Sequence, residues 1–540
     1  MTRRTFLSLS AAMAAQPARR PNVIVFISDD QGYGDLSLHG NTHLKTPNLD
    51  RIGTEGAQFT QFQVCPVCSP TRSSLMTGRY NYRTGIVDTF LGRSLMDPRE
   101  VTAAEVFAAN GYRTGIFGKW HLGDNYPMRT IDQGFHESLV HGGGGLAQPS
   151  DPPGGNHYYD PVLVRNGKQE ETPGYCTDIF FREAMAFIDR NKAKPFFLYI
   201  PTNAPHAPLE IDDKYVAPFK AAGLDDVTAK VYGMVKNLDD NAGALLAHLD
   251  KTGLARNTIL IFMTDNGPQQ PRYVAGMRGR KGTVYQGGIR VPFFFRWPER
   301  IKAGEKVGRI AAHIDVLPTL IEACALKPPK SVKFDGISLW PLLTGTPSTW
   351  PDRVIHTQWH RGDAPVLFQA HAARTQKWKL VNGVELYDME NDHNETTDVA
   401  AKNPEVVARL RRSTEEWFRD VASTRGGYDP PRIFIGTPHE NPTLLTRQDW
   451  REKPGHWEVD VKSKGSYDIT LLCNETAEAA MATLQFQALR LTADLPKGAT
   501  RHEWKNVQLP QGPGRMQPAL LVGNKPAIVL YLEVKKNNAR

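Results

Sequence analysis

Continuous apolar runs alternate with helical patterns over the first 350 residues of this 540-residue chain. The runs at 22–28, 196–200 and 258–263 are apolar at nearly every position, which is typical of central parallel strands buried on both faces. Between them, 102–110 and 226–250 carry apolar residues at helical spacing. This alternation predicts an α/β fold with a mostly parallel central sheet sandwiched by helices.

The pattern changes twice after residue 350. A strand candidate at 378–381 and a charged helix at 404–418 predict a smaller α+β subdomain over 351–425. From 426 to 540, turn residues separate short stretches that alternate apolar and polar positions, which predicts an all-β, sandwich-like accessory module. We therefore expect a catalytic α/β domain over 21–350, followed by these two parts.

Residues 1–20 have the order of features found in a twin-arginine-type signal peptide. Arg3 and Arg4 precede a short apolar stretch at 7–15, and small residues at 12–14 suit cleavage. We expect export to the periplasm or the extracellular space; the alternative is a disordered basic tail. Later apolar stretches fall short of the length that crosses a bilayer, so no membrane span is predicted.

The overall composition is that of an ordinary globular protein, with 40% hydrophobic and 23% charged residues. The formal net charge of +8 is spread along the chain without a basic run, so we do not expect a nucleic-acid partner. Five cysteines at scattered spacings argue against a disulfide framework.

Acidic residues follow two of the predicted strands directly. Asp29 and Asp30 come after the first strand, and Asp265 and Asn266 come after the strand at 258–263. Ligands of open α/β sheets bind beyond the carboxyl ends of strands, so these side chains could converge. An oxygen-only ligand set suits a hard cation such as calcium better than zinc. The alternative is that they are turn residues.

The segment 68–79 has the pattern of a helix start. Ser69 is the predicted N-cap, Pro70 suits the first helical position, and Gly78 ends the element. Cys68 would then lie just before a helix N-terminus, where the dipole and free N–H groups favour an anion. Arg72, one turn into the helix, adds a positive charge.

This segment resembles the signature of the sulfatase family, Cys-x-Pro-x-Arg followed by Leu-x-Thr-Gly. Further matching motifs occur in the family's order at 29–30, 118–123, 204–206, 265–267, 278–282, 385–388 and 395–397. The resemblance covers about residues 20–420. It implies an alkaline-phosphatase-like fold and an arylsulfatase-type sulfuric ester hydrolase. It also implies that a maturation enzyme oxidises Cys68 to formylglycine, and that the substrate is a sulfated small molecule or glycan.

The resemblance also implies a role for each matching residue. Asp29, Asp30, Asp265, Asn266 and the hydrated formylglycine at position 68 would hold one calcium ion. Arg72 and Lys119 would stabilise the hydrated aldehyde, one hydroxyl of which attacks sulfur, and Lys281 would hold sulfate oxygens. His206 would donate a proton to the departing alcohol, and His121 would deprotonate the second hydroxyl so that sulfate leaves. His141, His360 and Arg361 are further candidates for contact with the substrate.

Several alternatives remain open from the sequence. Cys65 and Cys68 form a Cys-x-x-Cys pair, which could be redox-active, or Cys68 could be a buried structural thiol. Lys119 and Lys281 could be solvated surface lysines, and His121 and His206 could be structural histidines. A phosphate or phosphonate ester hydrolase of the same superfamily would commonly hold two zinc ions. An inactive protein could instead bind sulfated glycans through its β module.

Overall fold

A ten-stranded sheet lies at the centre of the computed structural model, which describes residues 20–345, 349–451, 455–523 and 525–537. The first twelve strands are β1 (Asn22–Ser28), β2 (Ala57–Phe59), β3 (Phe62–Gln63), β4 (Arg113–Lys119), β5 (Glu137–His141), β6 (Val162–Arg165), β7 (Lys168–Glu171), β8 (Phe196–Pro201), β9 (Thr258–Thr264), β10 (Phe293–Arg296), β11 (Glu305–Val307) and β12 (Ala311–Ala312). The helices are α1 (Pro47–Thr54), α2 (Cys68–Thr77), α3 (Ala103–Ala109), α4 (Cys176–Asn191), α5 (Asp213–Ala221), α6 (Asp226–Lys251), α7 (Gln286–Ile289), α8 (Val316–Ala323), α9 (Trp340–Leu343) and α10 (Pro404–Ser423).

The strand order of the central sheet is β11-β2-β10-β9-β1-β8-β4-β5-β6-β7, and β3 pairs separately with β12. The middle strands β9, β1, β8, β4 and β5 are parallel to one another, whereas β10 pairs antiparallel with β9, β6 with β5 and β7 with β6. The fold class predicted from the alternating pattern is therefore confirmed, with a mixed sheet whose centre is parallel.

Helices cover both faces of this sheet. Alternate residues of β1 enter two different cores, with Val23, Val25 and Ile27 on one side and Ile24 and Phe26 on the other. The first core includes residues of α2, α3 and α8, and the second includes residues of α1, α4 and α6. All seven residues of β1 are buried, which explains the unbroken apolar run at 23–27.

A four-stranded antiparallel sheet follows residue 350. Its strands are β13 (Ile355–Gln358), β14 (His371–Arg374), β15 (Trp378–Val381) and β16 (Glu385–Asp388), in that order. Helix α10 packs against β14 and β15 through Leu410, which lies in one core with Leu380 and Leu386. The strand predicted at 378–381 and the helix predicted from 404 are both present.

Two sheets make up the last part of the chain. Their strands are β17 (Ile433–Ile435), β18 (Thr443–Thr446), β19 (Trp457–Val461), β20 (Gly465–Cys473), β21 (Ala480–Phe486), β22 (Leu489–Leu495), β23 (Arg501–Leu509), β24 (Gly512–Val522), β25 (Lys525–Ala527) and β26 (Val529–Lys536). One sheet has the order β17-β19-β24-β21-β22 with β25 beside β24, and the other has the order β18-β26-β20-β23. Their shared core also takes in Leu95 and Met128, which precede β5 in the chain, so the β module packs on the α/β part.

The predicted signal peptide falls on residues 1–19, outside the described part of the chain. Among the described helices, none combines the length and the apolar character needed to cross a bilayer.

Two buried histidines connect the second sheet to α10. The Nδ1 atom of His356 lies 3.2 Å from Nε2 of His371, and the His356 ring stacks on Trp417 with 4.9 Å between ring centroids. Burial lowers the pKa of His356 to about 3, and burial together with the neighbouring His356 lowers the pKa of His371 well below its ordinary value. Both imidazoles are therefore neutral in the folded protein at neutral pH.

We expect this pair to make the fold sensitive to acid. Below pH 6.5 the unfolded chain binds protons at both histidines and the folded chain does not, so the free energy of unfolding falls as the pH falls toward 3. At pH 4.5, His356 alone would lower the free energy of unfolding by roughly 2.7 kcal/mol, from two pKa units at about 1.36 kcal/mol each. Urea unfolding of wild type and His356→Gln at pH 7 and 4.5 measures this. An equal loss of stability in both proteins would contradict it.

Candidate active site

Four neighbouring strands of the central sheet, β9, β1, β8 and β4, bring their carboxyl ends to one edge, and most of the predicted site residues lie at or after these ends. Because β1 and β9 are parallel with Ser28 opposite Thr264, Asp29 and Asp265 emerge side by side. Lys119 is the last residue of β4. The site thus lies where ligands of parallel α/β sheets bind.

The helix that carries Cys68 begins earlier than the sequence predicts. Cys68 is its first residue and Val67 is its N-cap, without a side-chain cap. Ser69 is not the cap because its hydroxyl donates a hydrogen bond to the backbone oxygen of His121, at 2.8 Å. The predicted end is confirmed: Gly78 terminates the helix with φ of 68°, a conformation that glycine adopts without steric cost.

Three carboxylates at this edge are each paired with a cation. The pairs are Lys119 Nζ with Asp29 Oδ2, Arg72 Nη2 with Asp265 Oδ2 at 2.9 Å, and Lys281 Nζ with Asp30 Oδ1 at 2.6 Å. Both side chains of the first two pairs are fully buried. Such pairs contribute little net stability after desolvation, but losing one partner leaves a buried charge at high cost. The formal charges of these three pairs sum to zero, so the site can accept a metal cation and an anionic substrate together.

Burial and neighbouring charges shift the pKa values of Asp29 and Asp265 in opposite directions. Burial raises the pKa of Asp29, but Lys119, His206 and Arg72 outweigh it, so this pKa lies well below its ordinary value. The pKa of Asp265 is raised, first by burial and then by the negative charge of Asp29. Two carboxylates this close repel each other, and an added cation would relieve that repulsion.

Unpaired oxygen atoms show that the site suits a metal ion. Asp29 Oδ1 and Asn266 Oδ1 are buried and have no hydrogen-bond partner among the described residues. The Asn266 amide nitrogen donates to Asp30 Oδ1 at 2.8 Å, which leaves the amide oxygen available. Ligand atoms of Asp29, Cys68 and Asp265 lie within 4.8 Å of one another. Carboxylate and amide oxygens are the ligands that calcium and magnesium prefer.

Two histidines stand beside this cluster. His121 Nε2 lies 2.7 Å from the backbone oxygen of Thr89, and His206 Nδ1 lies 2.6 Å from that of Ala207. Burial, and then the charge of a lysine, lowers both pKa values: Lys119 acts on His121, and Lys281 acts on His206. His121 also has a positive φ of 59°, a backbone conformation that costs about 1–3 kcal/mol and often marks functional sites.

A pocket of about 530 Å³ opens above these residues. Cys68, His121, His206 and Lys281 line it, while the other six predicted site residues lie buried beneath. All three parts of the chain contribute to the wall. The lining residues that the sequence did not single out include Thr89, Phe90, Gln148, Gln269, Trp359 and Gln448. Of these, Gln148 has a signal in the sequence that could have indicated it, because the Gly- and Pro-rich stretch 142–155 around it is typical of a loop.

The weaker sequence candidates have different outcomes. Arg361 lines the pocket and pairs with Asp88 at 2.8 Å. Its neighbour His360 is not among the lining residues and makes a local contact with the Arg361 backbone oxygen. His141 is buried against the Gly142 backbone oxygen and lines a separate small cavity. All five cysteines are buried and free of disulfide bonds, including the Cys65 and Cys68 pair.

Comparison with known proteins decides the family. Residues 21–325, more than half of the chain, match the family model described as Sulfatase. The chain belongs to the sulfatase family. Residues 280–419 also match the model described as N-sulphoglucosamine sulphohydrolase, C-terminal. This sulfatase is accordingly a sulfuric ester hydrolase, and the family resemblance stated from its motifs is confirmed.

Individual relatives and solved structures agree with this assignment. Arylsulfatase A of Homo sapiens is 35% identical over 373 residues, which cover 64% of this chain and 71% of the relative. N-acetylgalactosamine-6-sulfatase of Canis lupus familiaris is 30% identical over 409 residues, covering 70% and 75%. The crystal structure of Ps i-CgsB matches with a TM-score of 0.68 at 29% identity, covering 76% of this chain and 95% of that one.

Proposed function

We propose that this sulfatase removes sulfate from a sulfated carbohydrate by means of a formylglycine made from Cys68 and one calcium ion. The observation that carries the proposal is the position of Cys68. It begins a buried helix, lines the pocket, and shares a 4.8 Å cluster with Asp29 and Asp265. Sulfatases generally use formylglycine and a metal ion, and this arrangement would bring the two together.

Asp29, Asp30, Asp265 and Asn266 would hold the calcium ion together with the modified residue 68. The unpaired oxygens of Asp29 and Asn266 support this, since a buried acceptor without a donor is costly unless a cation or water satisfies it. When bound, the ion would polarise sulfate oxygens and make a coordinated hydroxyl more acidic. The hydrated aldehyde supplies two hydroxyls on one carbon, one for attack on sulfur and one for the later release of sulfate.

The cations of the site would hold negative charge in place. Arg72 and Lys119 are fixed by Asp265 and Asp29, so they require little reorganisation when charge develops at residue 68. Lys281 both lines the pocket and pairs with Asp30, which lets it reach a sulfate oxygen while it stays oriented. Burial lowers the pKa of Lys281, but the surrounding negative groups, Asp30 foremost, together raise it more, so the ammonium keeps its charge.

His206 would donate a proton to the departing alcohol, and His121 would take one during sulfate release. Since burial and Lys281 lower the pKa of His206, a proton held on its ring passes readily to an alkoxide. The lowered pKa of His121 keeps that ring neutral and able to accept a proton at neutral pH.

The His206→Ala variant tests the role of His206 through the leaving group. General acid catalysis contributes about 10²–10⁴-fold, and most when the leaving alcohol is a poor anion. We expect kcat/KM to fall by about that factor on a sulfated sugar, and far less on 4-nitrophenyl sulfate. His393→Ala, on an exposed loop, is the control. Equal losses on both substrates would show that His206 does not protonate the leaving group.

Relatives support the choice of a carbohydrate substrate. Ps i-CgsB has been crystallised in complex with k-i-k-neocarrahexaose, and another relative carries the name N-acetylgalactosamine-6-sulfatase. The pocket walls here offer Gln148, Gln269 and Arg361, side chains that suit sugar hydroxyls and acidic groups. Release of free sulfate from a panel of sulfated oligosaccharides, with Cys68→Ala as the blank, tests this. Release from aryl sulfates alone would contradict it.

Two further parts of the proposal concern the export and the maturation of the chain. The twin-arginine-type leader would send the protein to the periplasm or beyond, and a formylglycine-generating enzyme would act on Cys68 before folding buries it. The burial of Cys68 in the folded chain supports this order of events, because a maturation enzyme needs access to the thiol.

A further inference from the structure

Gln448 belongs to the β module and yet lines the catalytic pocket. It lies in the short helical turn Arg447–Asp449, between β18 and β19, and only 3% of it is exposed. The two family models end at residues 325 and 419, so neither reaches it.

Both amide hydrogens of Gln448 are used to hold one segment of the α/β part. Gln448 Nε2 donates to the Thr89 backbone oxygen at 2.9 Å and to Ser94 Oγ at 2.9 Å. The Gly92 backbone N–H donates in return to the Gln448 backbone oxygen at 3.0 Å. The side chain and the backbone of Gln448 thus both form hydrogen bonds to the segment 89–94.

The same Thr89 oxygen orients His121. A carbonyl oxygen can only accept, so His121 Nε2, which lies 2.7 Å from it, must carry the hydrogen. In a neutral ring this leaves Nδ1 as the proton acceptor, and Nδ1 is buried without a partner among the described residues. Gln448 Nε2 lies 3.5 Å from His121 Nε2, in contact with the ring edge.

The smaller α+β subdomain also forms hydrogen bonds to this segment and to Asp88 beside it. Asp88 Oδ1 accepts hydrogen bonds from Trp359 Nε1 at 3.0 Å and from Arg361 Nη1 at 2.8 Å. Arg361 Nη1 also reaches Thr89 Oγ1 at 3.2 Å. The position of the Thr89 carbonyl group is therefore set by two later parts of the chain, although His121 itself lies in the first.

We infer that Gln448 is a positioning residue for His121, through which the β module completes the active site. By fixing the Thr89 carbonyl, Gln448 holds the imidazole in the tautomer and orientation that leave Nδ1 free to accept a proton. This inference rests on the proposed role of His121 in sulfate release. It gives the β module a part in turnover in addition to any part in binding.

Gln448→Met in the full-length, matured protein tests it, since methionine keeps the length of the side chain and removes both donors. With 4-nitrophenyl sulfate in excess, we expect steady-state kcat to fall roughly 10- to 100-fold, because small misplacements of a catalytic group have effects of this size. Alcohol release in a single turnover, with enzyme in excess, should stay within about twofold of wild type, because it precedes the step that needs His121. Gln508→Met, on an exposed position of β23, is the matched control.

His121→Ala separates failure of the inference from failure of the proposed function. It should show the same division between single-turnover and steady-state rates as Gln448→Met, but with a larger loss. If His121→Ala shows this and Gln448→Met has wild-type kcat, Gln448 does not position His121. A loss in Gln448→Met that appears equally in the single turnover would mark general damage to the pocket and also overturn the inference. If His121→Ala turns over normally, the proposed role of His121 is wrong.

Discussion

Replacing Cys68 with alanine should lower the turnover of an aryl sulfate by about 10⁴-fold or more, because the variant lacks the group from which the nucleophile is made. Residue 68 begins helix α2 in the pocket, and no other cysteine within the described part of the chain lines that pocket. The companion measurement is mass spectrometry of the peptide that carries residue 68 in the wild-type protein. Conversion of the thiol to an aldehyde is the expected result, and an unmodified cysteine in fully active protein would contradict it.

Cys65→Ala is the matched control for this experiment. Cys65 is three residues away and equally buried, and its sulfur contacts Asn81 and His313 instead of the acidic cluster. We expect it to keep most of the activity, with a modest loss of stability from the small cavity. If Cys65→Ala were as inactive as Cys68→Ala, the redox interpretation of the Cys-x-x-Cys pair would replace the formylglycine one.

The Asp29→Asn variant should lose both calcium binding and activity. Asparagine keeps the shape of the side chain but removes the charge that balances Lys119, so a buried ammonium would remain unpaired. The free energy of unfolding without metal should fall by about 3–5 kcal/mol. Turnover should fall by about 10³-fold, from lost stabilisation of developing charge. Thermal melts with EGTA and with added calcium, together with aryl sulfate turnover, measure both effects.

Asp494→Asn, on the exposed face of β22, serves as the control and should respond to calcium like wild type. The calcium-dependent rise in melting temperature should disappear in Asp29→Asn, because a ligand stabilises only the state that binds it. An undiminished rise in that variant would place the ion elsewhere. A rise in wild type with zinc but not with calcium would favour the metal of the related phosphatases.

Local pattern predicts this fold well where burial is complete. β1, β8 and β9 read as continuous apolar runs because helices cover both faces of the sheet, so no position needs a polar residue. Helix α2 shows the opposite case. Its sequence is rich in serine and threonine and includes an arginine, yet all ten residues are buried. Hydrophobic pattern alone would place it at the surface, and such local conflicts are expected at functional sites.

The prediction of Ser69 as the N-cap of α2 is wrong for a related reason. Ser69 has the side chain of a good cap, but its hydroxyl is engaged by the backbone oxygen of His121, which lies 52 positions later in the chain. A tertiary contact of this kind overrides the local preference of serine for the N-cap position. The hydrophobic pattern of the sequence does not indicate such a contact. The pocket wall formed by Trp359, Arg361 and Gln448 is likewise a product of packing between parts of the chain.

The sequence by itself determined the family motifs, the parallel centre of the sheet and the convergence of Asp29 with Asp265. It could do so because parallel strands must place their carboxyl ends on one edge, so residues after two such strands are neighbours wherever the rest of the chain lies. Only the tertiary structure decided that Gln448 and His121, 327 positions apart, share the Thr89 carbonyl group. That contact depends on how the β module packs against the α/β domain. This packing follows from the shapes of the two folded surfaces, which local sequence pattern does not encode.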